Sequence, residues 1–176
     1  MLNIKTIVTG ILNENCYIVY KDKKALIIDP GYDSNKIIKF IESNDLDVKG
    51  VLITHHHFDH VGALKDIQSE YKNAKYIDYK DNGNKHISCF EFEIINTPGH
   101  TLDSVTYYFK KDNIMFTGDF VFKETIGNYE YDNESIMIDS LKNFIKYPNN
   151  TTIYPGHGES STIEYEKKNN PFLRGL

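Results

Sequence analysis

Polar and apolar residues alternate through the first twelve positions, and the pattern stops at Asn13-Glu14-Asn15. Alternation of this kind, broken by Gly10 and then by a polar turn, predicts strands over Ile4 to Thr9 and Cys16 to Tyr20. Ala25 to Asp29 is a short, nearly all-apolar strand that Pro30-Gly31 ends. The period then changes. Ile37, Ile38 and Ile41, with Phe40 beside them, have helical spacing, and Asp33 or Ser34 is placed to cap that helix. Gly50 to Ile53 reads as a buried strand. Val61, Leu64, Ile67 and Tyr71 share one face of a helix predicted over Val61 to Tyr71.

After Asn73 strands return, over Lys75 to Tyr79, Phe90 to Ile95, Ser104 to Phe109 and Ile114 to Thr117. Asp81-Asn82-Gly83-Asn84 and Lys110-Lys111-Asp112-Asn113 read as turns between them. A helix over Ser135 to Tyr147 presents Ile138, Leu141 and Ile145, and a strand over Thr151 to Tyr154 and a helix over Thr162 to Asn169 complete the reading. The pattern alone supports a mixed α/β chain forming one domain over residues 1–176, a length that allows a sizeable core.

Composition narrows the partners. The net charge of −5 argues against a broad basic surface for nucleic acid. No apolar run approaches the ~18 residues of a membrane span. The N-terminus lacks the charged and apolar regions of a signal peptide. Cys16 and Cys89 form neither a CxxC pair nor a disulfide framework, which fits two reduced thiols in the cytoplasm.

The chemistry concentrates in Thr54-His55-His56-His57-Phe58-Asp59-His60. An extended segment points residues i and i+2 the same way, so His55 and His57 can converge on one ion. Asp59 and His60 sit where the chain turns into the next helix and can address a second ion beside the first. Asp59 also lies at the partly positive helix start. His56 faces the other way and reads as a spacer, and His86, in a polar loop, as a solvated histidine. Three further donors stand beside glycine: His100, Asp119 and His157. Seven such donors are what two ions need if one carboxylate bridges them. Nitrogen and carboxylate ligands without thiolate suit zinc, iron or manganese.

This ordered set resembles the metallo-β-lactamase superfamily over almost the whole chain. Asn15-Cys16-Tyr17, Leu26-Ile27-Ile28-Asp29-Pro30-Gly31 and Asn170-Pro171-Phe172-Leu173 are similar to segments of its small glyoxalase II-like hydrolases. The resemblance implies an αββα sandwich of two mixed β-sheets flanked by helices. It implies that His55, His57 and His100 hold one metal, that Asp59, His60 and His157 hold the other, and that Asp119 bridges them. Asp29 would stand just behind these ligands. Two divalent ions, zinc in the first instance, would support hydrolysis of a small-molecule thioester such as an S-acyl-glutathione, with Asp59 orienting the attacking hydroxide. A monomer or small homo-oligomer, with no nucleic acid and no membrane partner, completes the expectation.

Two departures bear on the substrate. The short stretch after His157 leaves no room for the C-terminal helical domain with which larger glyoxalase II enzymes bind glutathione. Asn128, in Thr125-Ile126-Gly127-Asn128-Tyr129-Glu130, stands where small relatives often carry arginine, so an anion-binding fork is missing there. Lys123, Tyr129, Tyr131 and Arg174 are candidate substrate contacts whose ordinary reading is plain surface. The main rival is a mononuclear iron persulfide dioxygenase, which the resemblance would place on His55, His100 and Asp119. Lactonase, β-lactamase, nuclease and non-catalytic metal-binding readings follow behind.

Overall fold

A computed structural model describes residues 2–176. Strands β1 (Asn3–Thr9), β2 (Glu14–Lys21) and β3 (Lys24–Ile28) lead into helix α1 (Ser34–Ser43). Strand β4 (Asp47–Leu52), helices α2 (Phe58–Val61) and α3 (Leu64–Glu70) and strand β5 (Lys75–Ile77) follow. The second half contributes β6 (Gly83–Ile87), β7 (Phe90–Asn96), β8 (Val105–Phe109) and β9 (Ile114–Gly118), a small hairpin of β10 (Val121–Phe122) and β11 (Thr125–Ile126), and helix α4 (Glu134–Phe144). Strands β12 (Thr152–Pro155) and β13 (Ser161–Thr162) and helix α5 (Ile163–Asn169) end the chain.

The strands make two mixed sheets, one ordered β1-β2-β3-β4-β5 and one ordered β13-β12-β9-β8-β7-β6. Three apolar layers show how they stack. Tyr17, Val19, Leu26, Ile28 and Leu52 from the first sheet meet Phe92, Ile94, Tyr107, Phe109 and Phe116 from the second. The alternate residues of the first sheet, Cys16, Ile18, Ala25, Ile27 and Val51, pack outward against Ile37, Ile41 and Ile67 of the helices. On the far side, Tyr108, Met115 and Ile153 meet Met137, Leu141 and Phe144 of α4. Central strands buried on both faces lose the simple alternation of a half-exposed sheet, which explains the near-continuous apolar runs at β3 and β4. The result is the αββα sandwich.

Several elements differ from expectation. The helix expected over Val61 to Tyr71 is broken at Gly62-Ala63. A Cβ on Gly62 would lie 2.7 Å from the Gly31 carbonyl oxygen, and the Ala63 N–H donates to the Pro30 and Gly31 carbonyls instead of continuing one helical ladder. The turn expected at Asp81 to Asn84 gives way to β6, a polar edge strand paired with β7 whose buried residue is Ile87. Its exposed His86 is solvated, but on a strand rather than in a loop. Glu14 and Asn15, read as turn residues, are buried at the start of β2. Asp33 occupies the N-cap position of α1 without capping it; its carboxylate accepts from the Gly10 N–H and from Lys36. No described helix is long and apolar enough to cross a membrane.

Two tyrosines of the inter-sheet core reach the sheet ends from which the candidate ligands emerge. The Tyr107 hydroxyl donates to the Ile53 carbonyl at 2.7 Å, just before the histidine cluster. The Tyr17 hydroxyl donates to the Pro155 carbonyl at 2.6 Å, just before His157. A buried hydroxyl needs a partner, and here each partner is the backbone of a ligand-bearing loop.

Candidate metal centre

All seven expected donors converge at one end of the sandwich. His55 Nε2 and His57 Nδ1 lie 3.2 Å apart, and His57 Nδ1 lies 2.9 Å from His100 Nε2. Asp59, His60 and His157 form a second group, with His157 Nε2 3.2 Å from Asp59 Oδ2. Asp119 lies between the groups. Its Oδ2 is 3.7 Å from His100 Nε2 and 3.6 Å from His157 Nε2, and its Oδ1 is 3.1 Å from His60 Nε2.

Each of four imidazoles is held from behind through its other ring nitrogen. His55 Nδ1 lies 3.1 Å from Thr54 Oγ1, and His60 Nδ1 lies 3.0 Å from Asp29 Oδ2. His100 Nδ1 lies 2.5 Å from the Asn128 carbonyl, and His157 Nδ1 lies 3.1 Å from the Leu12 carbonyl. With the proton on the bonded nitrogen, the other carries a lone pair toward the centre. This is how outer acceptors orient metal-binding histidines. Asp29 also accepts from the Thr54 N–H at 2.7 Å and from its hydroxyl at 2.6 Å, which links it to His55 as well as His60.

Glycine makes room at two points. Gly118 has φ 52° and an added Cβ would lie 2.3 Å from Thr54 Oγ1. A Cβ on Gly156 would lie 2.2 Å from Asp119 Oδ1 and 2.6 Å from His60 Cε1. The loop carrying His157 is clipped to β2: Asn15 Nδ2 donates to the Pro155 and Gly158 carbonyls at 3.1 and 2.9 Å, and the Asn15 N–H donates to Gly156.

The donor chemistry fits divalent cations. His60 Nε2 and Asp119 Oδ1 are buried and face each other without hydrogen-bond alignment. Such orphaned groups are costly unless an ion or other partner satisfies them. In the metal-free chain desolvation, followed by the charge of neighbouring His60, presses His55 down to about 2. His60 is pushed up to about 11, against its own desolvation, by Asp119 and Asp29. Asp119 is held near 2, again against desolvation, chiefly by His60.

Sequence reasoning missed Glu14. It is fully buried; one oxygen accepts from Thr9 Oγ1 at 2.8 Å, while the other lies 3.9 Å from His60 Nδ1 without a hydrogen-bond partner. Burial, reinforced by Asp29, raises its carboxyl to about 9. A folded-state Glu14 that stays protonated while the unfolded one ionises above about 4.5 makes stability fall as pH rises from there toward 9. His60 acts in the same direction, but only above about 6.5, because its folded form keeps a proton that its unfolded form releases. Below about 6.5 His55 opposes Glu14, because its folded form stays neutral where its unfolded form takes up a proton, and the lowered His57 acts with it. The Tm of metal-free protein is therefore expected to change little from pH 5 to about 6.5 and to decline from there to 9. In Glu14→Gln it should instead rise to about pH 6.5 before declining, as calorimetry across that range would reveal.

The candidate substrate contacts separate. Lys123 pairs with Glu159 at 2.6 Å and Arg174 is exposed. The Tyr131 side chain lies outside the described residues. Tyr129 lines a groove of about 470 Å³ with Ile126, Gly127, Asn128, Glu134 and Phe172, beside the carbonyl that holds His100.

Residues 9–86 and 83–157 match the family model of the metallo-beta-lactamase superfamily. The chain is 30% identical to the hydroxyacylglutathione hydrolase GloC of Haemophilus influenzae over 98% of both proteins. Among solved structures it resembles the BLEG-1 B3 metallo-beta-lactamase at 29% identity, with a TM-score of 0.92 over 98% of this chain and all of that one. It also resembles TTHA1623 in a di-iron-bound form, at 25% identity and a TM-score of 0.87, over 96% of this chain and all of that one.

Proposed function

The chain belongs to the metallo-beta-lactamase superfamily, and from that premise we propose that it is a dinuclear metallo-hydrolase of thioesters, with S-acyl-glutathione or a related thiol ester as substrate. The observation that carries this reading is the convergence of His55, His57 and His100, and of Asp59, His60 and His157, on either side of Asp119. Asp29, Thr54 and the Leu12 and Asn128 carbonyls complete the assignment by orienting the rings. The likeness to GloC, a hydroxyacylglutathione hydrolase, supports the thioester class.

Bound ions would supply Lewis acidity and lower the pKa of water to about 7. The chain supplies the rest. Asp59, 6% exposed and at the first turn of α2, is the carboxylate positioned to accept a hydrogen bond from the attacking water and orient it. Attack at the acyl carbon breaks the carbon–sulfur bond, yielding a carboxylic acid and a thiol. No serine or cysteine nucleophile is called on. Exposed apolar Ile11, Phe58 and Leu102 are close in sequence to Leu12, His57 and His100.

The groove beside His100 would take the non-reacting part of the substrate. None of the described residues lining it is a cation, and Glu134 is an acid. The carboxylates of glutathione therefore lack an ion-pair partner there. Asn128→Arg is expected to lower KM for S-lactoylglutathione several-fold with little change in kcat, because only uniform binding is added. The His100 contact uses the Asn128 backbone and survives the substitution.

The direct test is steady-state hydrolysis of S-lactoylglutathione by zinc-loaded protein. The expected kcat/KM lies within ~10⁴–10⁸ M⁻¹s⁻¹. The likeness to BLEG-1 makes β-lactam opening the second reading, so a chromogenic cephalosporin belongs in the same assay series. Turnover of the cephalosporin with none of any thioester would replace the thioester reading.

A further inference from the structure

His56 was expected to be a spacer between two ligands. It does point away from the centre, but its ring is bonded at both nitrogens. Nδ1 lies 2.8 Å from Asp103 Oδ2, and Nε2 lies 3.0 Å from the Tyr76 hydroxyl. Asp78 Oδ2 is 3.5 Å from Nε2, and the Tyr79 ring stands edge-on with centroids 5.6 Å apart. Nδ1 thus faces a carboxylate that can accept its proton, and Nε2 meets the Tyr76 hydroxyl. An exposed histidine without a role would keep its rotamer freedom; this one is fixed between β5 and the loop after β7.

Asp103 connects that network to His100. Its Oδ1 accepts from Thr101 Oγ1 at 2.6 Å, and the Thr101 carbonyl accepts from the Gly99 N–H at 3.1 Å. Thr101 Oγ1 also meets Ser104 Oγ at 2.8 Å, which closes the small loop around His100. The three nitrogens of the first group come from two segments 43 residues apart along the chain. The His56–Asp103 contact ties these same two segments together on the opposite face.

We propose that His56 is a positioning residue: paired with Asp103 and braced by Tyr76, it locks the segment carrying His55 and His57 to the loop carrying His100, and so presets the first metal site. The inference rests on the reading of the seven donors as a two-ion centre. It concerns one half of that centre. The second group is oriented by Asp29 and the Leu12 carbonyl, neither of which touches His56. Partly exposed ion pairs add little to global stability, whereas removing a group that orients metal ligands typically weakens metal affinity 10–100-fold.

The experiment compares wild type, His56→Ala, Asp103→Ala and the double variant. Affinity for each ion is measured by chelator competition, the two sites are told apart by cadmium NMR, and Tm is recorded without metal. Each single variant should bind the first ion 10–100-fold more weakly. The second ion should bind within about twofold of wild type, with a metal-free Tm within a few degrees. The double variant should lose no more than either single one, as expected for one shared contact. Unchanged first-ion affinity, parallel loss at both sites together with a large fall in Tm, or multiplied losses in the double variant would each overturn the proposal. Wild type that binds fewer than two ions would overturn the two-ion reading itself, and His56 positioning with it; a wild type that binds two leaves only the variants to decide.

Discussion

Asp119→Asn is expected to weaken binding of both ions and to reduce thioester hydrolysis by about a thousandfold or more, the equivalent of roughly 4 kcal/mol of transition-state stabilisation. The reason is its placement. One carboxylate oxygen stands 3.7 Å from His100 Nε2 and 3.6 Å from His157 Nε2, so it addresses both groups. The other stands 3.1 Å from His60 Nε2. An amide of the same shape removes the negative charge and turns one of these oxygens into a donor, which meets either an ion or imidazole nitrogens. The fold should survive, because Gly156, which makes room for this side chain, is untouched. Metal content after dialysis and steady-state turnover check both halves of the statement. Two retained ions with normal turnover would remove Asp119 from its bridging role.

Asp59→Ala should separate the two groups. Asp59 faces His157 at 3.2 Å and His60 at 3.8 Å, and has no contact of this kind with His55 or His100. The second ion should be lost or bound at least about a hundredfold more weakly, and the first retained. Hydrolysis should fall about a thousandfold, since the variant loses a first-ring ligand together with the group that orients water. One tightly bound ion with the cadmium signal of the three-histidine site intact is the expected signature. Two ions bound as in wild type, with kcat/KM within a few-fold, would contradict the role given to Asp59.

Much of this centre was legible in the chain because its chemistry is local. Histidines two apart on an extended segment must share a side, and the Asp59-His60 pair must follow at the bend. His100, Asp119 and His157 were legible through order and glycine context, and they converge with the rest. The sandwich itself came from resemblance, since apolar runs such as those at β3 and β4 identify buried strands without saying what covers them. What was not legible depends on tertiary contact. The Leu12 and Asn128 carbonyls act through backbone that any residue provides. Glu14 looked like a turn residue until the pairing of β1 with β2 buried it behind His60. The break at Gly62-Ala63 arises from the close approach of Pro30-Gly31, which no helical periodicity encodes. The partners of His56 come from β5 and from the loop after β7, both remote from the motif.

Thioester hydrolysis by this chain should require two ions on these seven side chains. Adding zinc stepwise to metal-free protein, while counting bound ions and measuring S-lactoylglutathione hydrolysis in the same samples, reads both quantities together. The predicted result is turnover that rises to a plateau at two ions per chain and is nearly absent in Asp59→Ala. Full occupancy by two ions with no thioester hydrolysed would contradict the account, as would activity that is complete with a single iron and yields sulfite from a persulfide.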